Sequence, residues 1–167
     1  MKKIYSFLFA IAISLSFSFA QNAKIQSIFV YNFVKYIEFP ESSRTGDFVI
    51  SVLGSGDVYN EMVTMSKQKK TFGSQPIVIK QINSIGEYTP SQILVVSSAQ
   101  SSHLSEAVKK TTGQPTILIS ETTNGIVTGA MINFVYKDGR QKFEISRANG
   151  AKNKLLLSNY LESLAIK

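Results

Sequence analysis

The apolar and polar positions of this chain change period several times, and each change marks an element. The first twenty residues, MKKIYSFLFAIAISLSFSFA, set Lys2 and Lys3 before an uncharged, mostly apolar run over 4–19. Ser18 and Ala20 put small residues at −3 and −1 of a cut after Ala20, which predicts a cleaved secretory signal peptide. A membrane span needs about 20 apolar residues, and this run is shorter and rich in serine. Residues 23–38 then read as a helix. At about 100° per residue, Lys24, Ser27, Asn32, Lys35 and Glu38 share an arc of about 140°. Most of the remaining circle is apolar, with Gln26 as the exception. Pro40 ends this helix, and Phe39 before it is pushed to extended geometry.

Next come short, almost continuously apolar runs, the pattern of strands buried on both faces. They are 47–53 (DFVISVL), 76–81 (PIVIKQ), 92–97 (QILVVS) and 116–120 (TILIS). Between the first two, Gly54-Ser55-Gly56-Asp57 turns the chain into a helix over 57–68, with Ser55 or Asp57 as its cap. Lys67, Lys69 and Lys70 suit the negative end of that helix's dipole. Ser101 or Ser102 starts another helix to Lys110, closed by Gly113 and Pro115. Strict alternation over 130–136 and 141–146, around Asp138-Gly139, predicts a β-hairpin. Residues 151–165 read as a last helix, with Leu155, Leu157, Tyr160, Leu161, Leu164 and Ala165 on its apolar face. The expected fold is α/β: a largely parallel sheet of about six strands with helices on both faces, ending in a hairpin and a helix. It forms one domain over 21–167, since no linker composition or repeat divides it.

Composition narrows the chemistry. The sequence has 167 residues, no cysteine, no tryptophan and one histidine, His103. Disulfides, thiolate metal sites, thiol nucleophiles and lipid attachment after the signal cut are therefore excluded. So is a His-rich metal centre. Formal charge is +7, from 18 basic against 11 acidic residues, and loss of Lys2 and Lys3 leaves +5. On an exported chain this reads as solubility and a weak preference for anionic surfaces, not as nucleic-acid binding.

No catalytic residue, metal site or cofactor is predicted. Gly54-x-Gly56 follows a buried strand, but Tyr59 stands where a dinucleotide fingerprint needs glycine, and no acidic residue follows at the right distance. It reads as a tight turn. Gly54, Ser55, Gly56 and Asp57 remain candidates to present backbone N–H groups to an anion. His103 sits at a helix start beside no nucleophile elbow. The acids are scattered, without the pairing that glycoside hydrolysis uses. A different signal comes from the first helix, where Ile28 and Tyr31 lie inside the polar arc. With Lys35 they are the candidate partner-binding residues.

Several segments together resemble the YfiR-like periplasmic proteins. Tyr31-Asn32-Phe33-Val34-Lys35-Tyr36-Ile37-Glu38-Phe39-Pro40 is similar to that family's YNF-x-K-[FY]-x-x-[WF]-P helix end. Phe48–Gly54 resembles its first strand and turn, and 92–97 its central strand. Phe143-Glu144-Ile145, with Leu157-Ser158-x-x-Leu161-x-x-Leu164-Ala165, resembles its C-terminal strand and helix. The resemblance implies a periplasmic, non-catalytic regulator. Its partner would be the external domain of an inner-membrane diguanylate cyclase or histidine kinase, with an outer-membrane lipoprotein relieving the restraint. Loss of restraint on a cyclase would raise cyclic-di-GMP and promote biofilm. The disulfides of the best-known member cannot form here. A periplasmic small-ligand or anion carrier using the βα turns is the alternative, and a homodimer is left open.

Overall fold

Strands that are apolar on both faces need cover on both faces. The computed structural model, which describes residues 21–166, supplies it. The expected signal segment and its cleavage site lie outside the described residues. The chain begins with α1 (21–33), β1 (Ile37–Glu38), β2 (Phe48–Leu53), α2 (Asp57–Gln68), β3 (Thr71–Phe72) and β4 (Gln75–Ile82). It continues with β5 (Ile93–Val96), α3 (Leu104–Thr111), β6 (Ile117–Ser120), α4 (Gly125–Thr128), β7 (Ile132–Lys137) and β8 (Arg140–Ile145). It closes with α5 (Arg147–Lys152), β9 (Leu156–Leu157) and α6 (Asn159–Leu164).

The main sheet has seven strands in the order β3-β4-β2-β5-β6-β7-β8, one more than the sequence suggested. The inner strands β4, β2, β5, β6 and β7 pair in parallel. β3 and β8 are antiparallel edges. Counted along the chain, the parallel strands lie in the doubly wound order 2-1-3-4-5, so the winding reverses between β2 and β5. Alternate residues of each central strand feed opposite cores, which is why these strands are apolar throughout. Ile93, Val95, Ile117 and Ile119 pack with Val30 and Phe33 of α1 and Met62 and Met65 of α2. Leu94, Val96 and Leu118 face the other way, against Leu104 and Ala107 of α3. Phe33 meets Phe143 edge-on at 4.8 Å, tying α1 to the far edge of the sheet.

The expected hairpin is present. Asp138 (φ +54°) and Gly139 (φ +73°) take the two left-handed positions of a two-residue turn. The ends of several helices differ from expectation. The first helix stops at residue 33 and passes through a 3₁₀ turn, Val34–Tyr36, into β1, which pairs with β9. Ile37 and Phe39 are buried while Glu38 is exposed, a period of two that a helix cannot satisfy. The expected helix over 151–165 is three elements. Lys154 adopts φ +58°, and buried Asn153 donates to the Thr116 carbonyl at 2.8 Å. Leu155 and Leu157 are buried around an exposed Leu156, again period two. Ser158 then caps α6 by accepting from the Leu161 N–H.

At α2 neither Ser55 nor Asp57 is the cap. Gly56 holds that position without a side-chain bond, and Asp57 is the first helical residue, at the positive end of the dipole. The segment Ser98–His103 is a 3₁₀ turn, so α3 starts at Leu104 and neither Ser101 nor Ser102 caps it.

Candidate functional site

Ile28, Tyr31 and Lys35 converge on one groove of about 300 Å³ between α1 and α2. α2 adds Glu61, Thr64 and Met65, and Lys69 follows it. The floor is apolar: Met65 is buried, and Ile28 is 47% exposed. Tyr31 is fixed in place because its ring stacks on Phe72 of β3, with centroids 4.6 Å apart. Two ammonium groups stand over the same ring, Lys35 Nζ at 5.0 Å from its centroid and Lys69 Nζ at 5.9 Å. Cations at that range are attracted by the ring's electron-rich face. Lys35 Nζ also donates to Asn32 Oδ1 at 2.9 Å, which orients it along the groove. Lys24, Lys35 and Lys69 outnumber Glu61, so an apolar strip lies inside a positive rim.

A second recess, of about 410 Å³, opens at the carboxyl ends of β2, β5 and β6, where the winding reverses. The βα turn contributes Ser55 and Asp57, β5's end contributes Ser97 and Ser98, and β6's end contributes Glu121. α1 closes one side with Gln26, the residue that breaks its apolar face. Gln26 is 2% exposed, and its Nε2 donates to Glu121 Oε1 and Gln141 Oε1, each at 3.0 Å. Gln141 Nε2 in turn donates to the carbonyls of Val135 and Lys142. The misfit in the helix pattern is therefore a buried amide network that pins α1 to β6 and β8.

Of the four turn candidates, Ser55 and Asp57 line this cleft, whereas Gly54 and Gly56 shape the turn. Gly54 has φ +104°, and a Cβ there would meet Ser97 Oγ at 2.6 Å. Its N–H already donates to the Ile82 carbonyl at 3.0 Å. His103 is exposed at the end of the 3₁₀ turn before α3. No group of acidic residues and histidine that could hold a metal ion occurs among the described residues. The Asp138 carboxyl is held below the usual carboxylate range by the hydrogen bond and charge of Lys142, whose Nζ lies 2.7 Å away.

The sequence reading missed Lys69 and Phe72 at the groove, because a lysine run reads as a helix end and β3 is only two residues long. Of the cleft it found only the βα turn with Ser55 and Asp57, because the other contributing residues run from Asn22 to Gln141 with no common spacing. Gln26 was the available signal. No helix among the described residues is long and apolar enough to cross a membrane. Residues 23–166 match the family described as YfiR/HmsC-like. No curated protein matches the chain.

Proposed function

Because the chain belongs to the YfiR/HmsC-like family, a family of periplasmic regulators, we propose that it docks on the external domain of an inner-membrane signalling protein through the α1–α2 groove and holds its output off. The partner's output domain is a diguanylate cyclase or a histidine kinase. What supports the groove as the contact is Tyr31, an aromatic ring that is rigidly stacked on Phe72 yet presented beneath two lysines beside exposed Ile28. A rigid ring in an apolar strip gives contact area at low entropic cost, and the positive rim selects a partner face that is apolar and acidic. Restraint follows by population shift. The protein must bind the silent form of the sensor more tightly than the active form, and to move a sensor from 1:99 to 99:1 requires a ratio of about 10⁴.

The test is crosslinking in intact cells followed by capture of the tagged protein from solubilised envelopes. The expected catch is an integral membrane protein carrying a cyclase or kinase domain, lost in Ile28→Asp and Tyr31→Ala. If those variants capture it as well as the parent does, the groove is not the contact. If no such membrane protein is captured by the parent, the regulatory reading fails.

A further inference from the structure

The cleft at the β2–β5 reversal has the size and place of a ligand site. Its volume of about 410 Å³ falls inside the range of about 300–1,000 Å³ typical of small-molecule pockets. Open α/β sheets bind ligands outside the carboxyl ends of their strands, at such a reversal. The lining then selects a class. Its charged members are Asp57 and Glu121, and no Lys, Arg or His lines it. Neither carboxylate is in an ion pair among the described residues.

Glu121 is also held in advance. Gln26 donates to Oε1, while Oε2 has no hydrogen-bond partner among the described residues. Gln26 is itself locked by Gln141, so the carboxylate does not need to be ordered when a ligand arrives. Tyr59 and Tyr136 add aromatic faces, and Val52 and Val58 add apolar surface. An anion in this space would meet two carboxylates and no cationic side chain, whereas a cation finds two carboxylates and two aromatic rings in the lining.

The geometry points to a binding site for a small organic amine, protonated at neutral pH. Its ammonium sits on the Asp57–Glu121 side and its apolar body lies against Val58 and the tyrosines. This redirects the turn Gly54–Asp57 from anion binding to the wall of a cation site. It does not rest on the docking reading, because it uses no groove residue.

The experiment titrates the purified protein with tyramine, putrescine and inorganic phosphate, by calorimetry and thermal melting. At a hundredfold excess over Kd, a bound amine is expected to raise the Tm by about 5–10 °C, and phosphate to leave it unchanged. Glu121→Gln and Asp57→Asn, checked for native fold by circular dichroism, are each expected to weaken amine binding by about tenfold. Tyr31→Ala is expected to bind amine like the parent, which keeps this result separate from any failure of docking. Failure of both amines to bind overturns the inference. So does unchanged affinity in both carboxylate variants, or saturable binding of phosphate.

Discussion

Gln26→Leu removes the donor that holds the cleft wall while keeping similar volume in α1. In the parent, Nε2 serves Glu121 Oε1 and Gln141 Oε1, each at 3.0 Å. Gln141 is only 8% exposed, so its carbonyl oxygen loses its partner in a place water reaches poorly. A stranded buried acceptor costs about 1–3 kcal/mol. Glu121 is half-buried and regains water, so that loss is smaller, about 1 kcal/mol. The added apolar surface of leucine returns about 1 kcal/mol. The sum is a destabilisation of about 2 kcal/mol, or about 4–8 °C in Tm for a domain of this size.

Urea unfolding at fixed pH measures it, and the midpoint should fall with the slope unchanged. The double variant Gln26→Leu/Gln141→Leu supplies the sharper check. Because it removes both partners at once, its cost should fall short of the summed single costs by at least about 0.5 kcal/mol. A single variant within about 0.5 kcal/mol of the parent, or strict additivity in the double, would refute the claim that this amide pair holds α1.

Further outcomes follow from the same structure. Gly54→Ala forces an L-residue to φ +104° and drives its Cβ into Ser97 Oγ. It should destabilise by about 2 kcal/mol or more in thermal melts, and weaken amine binding by calorimetry through displacement of Ser97. Phe33→Ala empties a site 2% exposed between Phe29, Phe134 and Phe143, and should cost about 3–5 kcal/mol in urea unfolding. Ser158→Ala removes the α6 cap and should cost about 1 kcal/mol, with faster amide exchange over 159–164 and little change elsewhere. Ile28→Asp changes an exposed position and should stay within about 0.5 kcal/mol of the parent, so any loss of capture would be loss of contact and not of fold.

The sheet was legible because burial on both faces leaves a simple record: Ile93–Val96 and Ile117–Ser120 are apolar at nearly every position. The hairpin was legible from Asp138-Gly139. The C-terminal segment was not. Leu155, Leu157 and Leu161 fit a helical arc as well as they fit a strand followed by a capped turn, and the choice is made by Asn153 reaching Thr116 and by β1 offering a partner. The end of α1 was hidden for the same reason, since the strand it pairs with lies more than a hundred residues away. At the groove, the α1 half could be read from one helical wheel, whereas Lys69 and Phe72 come from another element. Of the cleft, only the βα turn with Ser55 and Asp57 and one amide on an apolar face, Gln26, could be read.

α1 and α2 wall both recesses: Gln26 and Asp57 face the cleft, and Ile28 and Met65 face the groove. The cleft and the groove are thus two readouts of one interhelical spacing. If an occupant of either changes that spacing, thermodynamic reciprocity requires each to alter the other's affinity by the same factor. The factor by which an occupant of the proposed cleft site tightens or loosens the proposed groove contact could then be measured from either side, with no further moving part between them.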